Sequence, residues 1–256
     1  MANMTSSVSA SQVAGELASA TFEEIPALVE HYREDPRQQV IKACERALKR
    51  HAKELAERER VNDMYELMHE LGGDGVVVGV DEVGRGSVAG PLTVCAVCLP
   101  MEPRVWGIND SKKLTPARRE LLSVKIAEVA TAIGFCHIAP KDIDEMGMAR
   151  AIRTADTGLE PDCVLMDGNP LGAVPNERDV VKGDAKIACI AAASIMAKVT
   201  RDEMMVEYDA EYPEYHLAES KGYASPEHIE AIRKHGLCPL HRVSFCGNFL
   251  QTERLF

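Results

Sequence analysis

The sequence has no apolar stretch long enough to cross a membrane, and its N-terminus lacks the basic-then-apolar order of a signal peptide. We therefore expect a cytoplasmic protein without a membrane partner. The sequence also has no excess of basic residues. Its formal net charge of -11 argues against a protein that coats nucleic acid nonspecifically. An enzyme whose basic groups are confined to one groove is compatible with this charge.

The cysteines are not arranged in a disulfide framework. Cys95 and Cys98 have C-x-x-C spacing, so a redox or zinc role must be weighed. They lie inside an apolar stretch where strand alternation points them to opposite faces. No second Cys or Cys/His pair at suitable spacing completes four zinc ligands. We interpret both as buried, reduced thiols.

The N-terminal part of the chain predicts a helical extension. Residues 1 to about 20 are rich in Ser and Ala without a clear period, which predicts a mobile segment. From about 35 to 71 the pattern is helical, with an apolar stripe that includes Ile41, Leu48 and Leu55. A basic ridge opposite this stripe is a solvated face or a track for phosphates. We assign residues 1–72 to this flexible N-terminus and helical extension.

Beyond Gly73 the pattern alternates between strands and helices, which predicts an α/β layer fold with a mixed sheet. Strands are expected near residues 75–81, 91–99, 133–139 and 163–166. Helices are expected over about 115–130, 142–156, 185–209 and 226–235, and the C-terminal tail is expected to be irregular.

The most informative stretch is Gly79 to Pro91. A β-branched strand leads into Asp81 and Glu82, and a turn of Gly84, Arg85 and Gly86 follows. Buried acids are costly unless they hold a cation or accept hydrogen bonds, and arginine offers a donor fork suited to phosphate. The stretch therefore indicates metal-dependent phosphodiester chemistry. The alternative is a strand that ends in a solvated polar turn.

Two further acids fit the same chemistry. Asp167 ends a later strand, and Asp184 lies near the start of the long alanine-rich helix. Acids at strand ends and at a facing helix N-terminus can converge, and divalent cations would neutralise their repulsion. Oxygen ligands favour Mg²⁺ or Mn²⁺, and two such ions roughly 4 Å apart catalyse in-line phosphoryl displacement. Taken singly, Asp184 reads as a helix cap and Asp167 as a turn residue.

With these features in the same order, the chain resembles bacterial ribonuclease HII. The matching segments occur in family order over roughly residues 60 to 246. They are GVDEVGRG (79–86), AGP (89–91), DSKKL (110–114), MDGN (166–169), KGD (182–184), AAASI (191–195), AKVTRD (197–202), KGY (221–223) and HRVSF (241–245).

The resemblance implies an RNase H-like fold over residues 73–256. We expect a mixed five-stranded sheet flanked by helices, a helical N-terminal extension and C-terminal helices. It also implies an endonuclease that hydrolyses the RNA strand of RNA–DNA hybrids and incises 5′ of single ribonucleotides in duplex DNA. Such an enzyme uses Mn²⁺ or Mg²⁺, with two ions per site when substrate is bound, and leaves 5′-phosphates. Its implied roles are ribonucleotide repair and RNA primer removal in replication.

The resemblance also implies roles for individual residues. The metal-binding catalytic carboxylates are Asp81, Glu82, Asp167 and Asp184, and the substrate-binding residues are Gly84, Arg85, Gly86, Lys112, Lys113, Ser194, Lys198 and Tyr223. Gly84 to Gly86 contact the nucleotide at the RNA–DNA junction, and Tyr223 packs on the deoxyribose that follows. Without the resemblance, Tyr223 reads as a surface turn residue, and Lys112 and Lys113 read as a solvated pair. For Lys198 the alternatives to a phosphate contact are orientation of a carboxylate, packing or a surface position. No histidine is placed as a general base, so we assign water activation to metal.

Alternative functions stay open at this stage. A related family, ribonuclease HIII, has a β-rich leader and lacks the Gly-Arg-Gly turn, so the helical leader and Arg85 favour HII. Another two-metal nuclease of this fold, such as a DNA-junction resolvase, would cleave an all-DNA duplex. A hybrid-binding protein that has lost catalysis would bind without metal-dependent turnover, although all four carboxylates are present.

The last residues suggest one further partner. Gln251 followed by a terminal Leu255 and Phe256 resembles the short peptides that bind the bacterial sliding clamp, although the spacing is one residue too long. The alternative is that Leu255 and Phe256 fold back onto the core. We otherwise expect a monomer.

Overall fold

The computed structural model describes residues 8–153, 155, 157–168, 172 and 175–250. The chain divides into two compact units, residues 1–62 and 63–256. Gln251, Leu255, Phe256 and Asn169 therefore fall outside the described residues. Within the described part, no helix has the length and apolar character needed to span a membrane.

The first unit is helical from its first described residues. It contains α1 (Ala10–Ser19), α2 (Ile25–His31) and the first part of α3 (Gln38–Gly72). α1 begins with a capping box: the Gln12 amide donates to Ser9 Oγ at 3.2 Å, and the Ser9 amide donates to Gln12 Oε1 at 2.9 Å. The lack of a clear period had suggested a mobile segment here, but residues 10–19 form a capped helix.

The core of the first unit uses a different face of α3 from the predicted one. Its buried residues are Val13, Leu17, Ile25, Val40, Ala43 and Ala47. Ile41, Leu48 and Leu55 are exposed instead, at 36%, 47% and 42%. The small side chains of Ala43 and Ala47 allow α3 to approach α1 and α2 closely. The free energy gained from this close packing exceeds what burial of the larger neighbours Ile41 and Leu48 would give.

A mixed five-stranded sheet organises the second unit, as predicted. The strands are β1 (Val77–Val83), β2 (Leu92–Cys98), β3 (Ala132–Ile138), β4 (Cys163–Asp167) and β5 (Glu177–Val180), in the order β3-β2-β1-β4-β5. β1 and β2 are antiparallel, as are β2 and β3, whereas β4 is parallel to both β1 and β5. The chain pattern alone did not locate β5, a short edge strand of mostly polar residues.

Seven helices complete the described part of this unit. They are α4 (Pro116–Val129), α5 (Pro140–Met146), α6 (Met148–Arg153), α7 (Ala188–Glu211), α8 (Leu217–Ser220), α9 (Pro226–His235) and α10 (Val243–Cys246). One helix was expected over residues 142–156. The helix is instead interrupted at Gly147, whose φ is +80°, and it continues as α6. The C-terminal region, expected to be irregular, contains the short α10.

The long helix α7 packs directly on the central strand β1. A Cβ atom on Gly79 would lie 2.2 Å from the Cys189 carbonyl carbon and 2.3 Å from the Ile190 amide nitrogen. The absence of a side chain at Gly79 is therefore what lets the helix backbone meet the strand. The buried alanines at the start of α7 continue this close contact.

The eight cysteines are all free thiols. Cys95 is fully buried in β2, and burial raises the pKa of its thiol. Cys98, three residues later, is only half-buried. The predicted burial therefore holds for Cys95 and only in part for Cys98.

Candidate active site

Two neighbouring parallel strands carry the first acidic residues. Val80 of β1 pairs with Met166 of β4, so Asp81 and Asp167 follow side by side on adjacent strands. Asp81 and Glu82 lie inside β1, which continues to Val83, and not at its end as the sequence suggested. Asp167 does end β4.

Asp81 is buried on the sheet face that α7 covers. Only 8% of it is exposed. The Glu82 amide donates to its Oδ1 at 2.8 Å, and the Ser194 hydroxyl also bonds to the carboxylate. Burial, with the charges of Glu82 and Asp167, outweighs these bonds and raises the pKa of Asp81 to about 7. The site therefore concentrates negative charge where water is largely excluded.

Ser194 lies beneath Asp81. It is 4% exposed, and its Oγ lies 2.9 Å from Ser111 Oγ. If Ser194 donates to Asp81, Ser111 must donate to Ser194, which gives a directed chain of hydroxyls toward the carboxylate. The structure thus connects Ser194 to a catalytic candidate, whereas the sequence had suggested substrate contact.

Strand alternation places Glu82 on the other side of β1 from Asp81. The charges of Glu82 and Asp81, and of Glu82 and Asp167, nevertheless interact, so Glu82 remains close to the other acids. Arg85 Nη1 donates to its Oε1 at 3.3 Å. Burial raises the pKa of Glu82 even though the Arg85 guanidinium opposes the shift. The Arg85 side chain itself is 63% exposed.

The other two acids are linked through the backbone. The Gly183 amide donates to Asp167 Oδ1 at 2.6 Å. Asp184 lies in a short 3-10 helix, Gly183–Ala185, that precedes α7, and only 6% of it is exposed. Burial and the charges of Asp167 and Asp110 raise the pKa of Asp184.

The segment Asp110 to Lys113 brings positive charge to these acids. Although partial burial opposes the shift, the charges of Asp81, Asp184 and Asp167, together with that of the neighbouring Asp110, raise the pKa of the Lys112 ammonium. Lys113 extends toward Asp110, with 4.0 Å between Nζ and Oδ2. Sequence reasoning gave no role to Asp110 or Ser111, although both stand in the quoted DSKKL segment.

The donor set fits a hard divalent cation. Every candidate ligand is a carboxylate oxygen, and burial with mutual repulsion disfavours the charged forms of Asp81, Glu82 and Asp184 until positive charge is supplied. Among the residues that the structure describes, no group of three or more His, Cys, Asp or Glu side chains is placed to hold a metal ion.

The turn after β1 presents backbone and an exposed arginine. Gly84 has a φ of +89°, and a Cβ there would lie 2.4 Å from Arg201 Nε and 2.9 Å from the Pro91 carbonyl oxygen. Glycine is therefore required at this position. Gly86 has open space around it, so backbone there is accessible to a ligand.

The predicted junction-recognition tyrosine lies next to this turn. The amides of Val88 and Ala89 both donate to the Gly222 carbonyl, at 2.9 and 3.1 Å. Tyr223 is 38% exposed, and Lys198 Nζ lies 5.9 Å from its ring centroid. Lys198 also pairs with Asp202 at 2.7 Å. The structure thus brings together residues from the GVDEVGRG, AKVTRD and KGY segments.

Comparisons with known proteins decide the family. The model of the family "Ribonuclease HII" matches residues 78–248, and that of "Ribonuclease HII N-terminal domain" matches residues 9–71. The chain belongs to the ribonuclease HII family. Ribonuclease HII from Ruminiclostridium cellulolyticum is 45% identical over 204 residues, which cover 76% of this chain and 80% of the relative.

Solved structures agree with this family. The crystal structure of ribonuclease H2 from Pyrococcus horikoshii has a TM-score of 0.55 at 26% identity and covers 69% of this chain and 99% of its own. The PCNA:RNase HII complex from Archaeoglobus fulgidus has a TM-score of 0.58 at 24% identity, with coverages of 70% and 98%, and supports the fold. Ribonucleases HII are hydrolases that cleave the RNA strand of RNA–DNA hybrids and use divalent metal ions. The expectations for family, fold and enzyme class are confirmed.

Proposed function

We propose that this enzyme incises duplex DNA on the 5′ side of single ribonucleotides, in addition to cleaving RNA–DNA hybrids. Asp81, Glu82, Asp167 and Asp184 would hold two divalent ions, Mg²⁺ or Mn²⁺. When bound, such ions supply an activated water and stabilise the leaving oxygen. The cellular roles that follow are ribonucleotide removal from DNA and RNA primer removal, in the cytoplasm.

The observation that carries this proposal is the position of the acids. Asp81 and Asp167 lie side by side on parallel strands, with Asp81 largely removed from water. A buried carboxylate beside a half-buried one is costly unless a cation or hydrogen bonds compensate their charges. Binding of a positively charged ligand by the two carboxylates would explain their arrangement.

The surrounding residues divide the remaining work. Lys112 and Lys113 would bind phosphates of the cleaved strand beside the acids, and Lys198 a phosphate near Tyr223. Backbone of Gly84 and Gly86 and the exposed Arg85 fork would contact the nucleotide at the RNA–DNA junction. The Tyr223 ring would test the sugar that follows, because the 2′-hydroxyl is what separates RNA from DNA. Ser194 would orient Asp81 and have no direct contact with the nucleic acid.

The decisive experiment uses duplex DNA with one embedded ribonucleotide, with and without Mg²⁺ or Mn²⁺. Asp81→Asn and Asp167→Asn should abolish incision while binding largely survives, because removing an ion ligand costs several kcal/mol of transition-state stabilisation. Asp74→Asn is the matched control, since Asp74 is fully exposed. Near-normal turnover in either active-site variant contradicts the assignment.

The same assay separates the alternatives. Cleavage of an all-DNA duplex of matching sequence would favour a DNA nuclease of this fold. Metal-independent binding without any turnover would favour a binding protein.

A sliding clamp is the proposed protein partner, through Gln251, Leu255 and Phe256. Apolar Leu255 and Phe256 would fill a pocket while Gln251 bonds its polar rim. A clamp is also the partner in the Archaeoglobus complex. Deletion of residues 251–256 should abolish binding to the clamp of the same organism and leave thermal stability unchanged. A large stability loss, or no binding by the intact chain, rules this out.

A further inference from the structure

Two turns carry the proposed junction-recognition groups, and they are distant in sequence. The first contains Gly84 to Gly86 and runs on to Pro91, and the second contains Lys221, Gly222 and Tyr223. A single embedded ribonucleotide must meet both turns at once. The spacing between the turns therefore matters more for this substrate than for a long hybrid, which offers many registers.

Arg201 of α7 connects the two turns. It is completely buried, and its guanidinium makes four hydrogen bonds. In the first turn it donates to the carbonyls of Pro91 and Ala89, both at 3.0 Å, and to Ser87 Oγ at 2.8 Å. In the second it donates to the Lys221 carbonyl at 2.6 Å. Only a planar fork of several donors can satisfy such a set of acceptors.

The same guanidinium also lies against the Tyr223 ring. Arg201 Cζ is 5.7 Å from the ring centroid, within the range of a cation–π contact. The ring is partly exposed whereas the guanidinium is not. Arg201 thus supports the tyrosine from inside and cannot itself reach the nucleic acid.

Arg242 provides a comparison within the same chain. It is also completely buried, and its four hydrogen bonds go to the carbonyls of Gly84, Arg85 and Gly90. All of these acceptors belong to the first turn. Arg242 fixes that turn. Arg201, together with the bonds from the Val88 and Ala89 amides to the Gly222 carbonyl, holds the turn relative to Tyr223, and it is the side chain that does so.

We infer that Arg201 is a positioning residue that sets the spacing between the Gly84–Gly86 turn and Tyr223, and thereby the selectivity for a single embedded ribonucleotide. This inference rests on the proposed function. It assigns a specificity role to a side chain that has no access to substrate.

The test compares two substrates, a duplex with one ribonucleotide and a long RNA–DNA hybrid. Arg201→Lys keeps the charge but not the fork. It should lower the ratio of kcat/KM values, single ribonucleotide over hybrid, by about tenfold or more. Ile143→Val is the control for a small loss of stability, because Ile143 is a buried core residue of α5. It should leave the ratio unchanged.

A double-mutant cycle with Tyr223→Ala identifies the route of the effect. If Arg201 acts through Tyr223, Arg201→Lys should change the ratio less than about threefold further in the Tyr223→Ala background. Arg242→Lys should keep its full effect in that background. If Arg201→Lys fails to fold, Ser87→Ala removes one acceptor and should shift the ratio in the same direction by a smaller factor.

The outcomes separate the inference from the proposed function. Suppose that the wild-type enzyme cleaves both substrates and that Arg201→Lys lowers both kcat/KM values by the same factor. Arg201 then has only a structural role and the inference is wrong. The same holds for Ser87→Ala where that variant replaces Arg201→Lys. Full additivity with Tyr223→Ala also overturns it. If the wild-type enzyme does not incise the single ribonucleotide, the proposed function fails and the inference falls with it.

Discussion

A buried pair of histidines should make the stability of the second unit depend on pH. His228 Nδ1 lies 2.9 Å from the Tyr223 carbonyl, so it must donate, and His228 Nε2 must accept. His241 Nε2, 3.1 Å away, is then the donor, and His241 Nδ1 accepts from the Cys238 amide at 3.0 Å. This tautomer assignment satisfies every ring nitrogen only while both rings are neutral.

The sign and size of the effect follow from the His241 pKa. Burial and the neighbouring His228 lower it from 6.5 to about 4, and burial also lowers the pKa of His228. The unfolded chain therefore takes up protons below about pH 6.5 while the folded chain does not, so stability falls as the pH falls. For His241 alone the loss is about 2 kcal/mol at pH 5 and approaches about 3 kcal/mol below pH 4.

The measurement is urea unfolding at pH 8 and pH 5, followed by tryptophan fluorescence. Trp106 is the only tryptophan of the sequence, so the signal reports the unit of residues 63–256. His241→Asn removes the titrating ring and should lose about 2 kcal/mol less than the wild type between these pH values. The opposite contribution of Asp81, whose raised pKa favours folding at low pH, is present in both proteins and cancels. Equal pH dependence of the two proteins, within about 0.5 kcal/mol, would refute the reasoning.

Three further predictions concern other parts of the chain. Gly84→Ala should destabilise the second unit by about 1–3 kcal/mol and lower cleavage, because its Cβ atom would lie 2.4 Å from a guanidinium nitrogen at a positive φ; unchanged urea midpoint and activity would contradict this. Lys112→Gln should lower kcat/KM roughly tenfold and reduce the slope of log affinity against log salt by about 1. Lys125→Gln, an exposed lysine of α4, should change neither, and an equal effect of both variants would exclude a specific phosphate contact. Arg50→Ala should destabilise the first unit by about 1–3 kcal/mol, because Arg50 donates to three carbonyls at the end of α1. Circular dichroism during urea unfolding measures this, with Lys49→Ala at a neighbouring exposed position as the control. Equal stability of the two variants would show that the Arg50 hydrogen bonds do not stabilise the first unit.

The sequence predicted the sheet and most helices of the second unit because their signals are local. A continuous apolar stretch locates β2, and Thr115 followed by Pro116 marks the start of α4. The exposed Ile41 shows where local reasoning fails. Apolar residues occur on two sides of α3, and only the neighbouring helices of the first unit decide which side is buried.

The sequence predicted those residues of the candidate site whose side chains are themselves chemically distinctive, such as carboxylates. The four acids and the Gly84–Gly86 turn were proposed from their places in the sequence pattern, and the resemblance supplied the lysines, Ser194 and Tyr223. Arg201 and Arg242 could not be given their roles, because their partners are backbone carbonyls, and carbonyls are present at every position of any sequence. Asp202, next to Arg201 in the sequence, pairs with Lys198 and so gives no sign of what Arg201 contacts.

The parallel pairing of β1 with β4 has a consequence for the stage of synthesis at which the candidate site can form. Val80 pairs with Met166, 86 positions later, so the two central carboxylates meet only after a large part of the chain has been synthesised. Contacts between such distant segments form late, because the intervening chain must be ordered first. On the proposed assignment of Asp81 and Asp167 as metal ligands, a nascent chain that carries only the GVDEVGRG segment has no nuclease activity. Activity then requires that Asp167 has joined Asp81 on the sheet, which protects nearby nucleic acid from an incompletely synthesised enzyme.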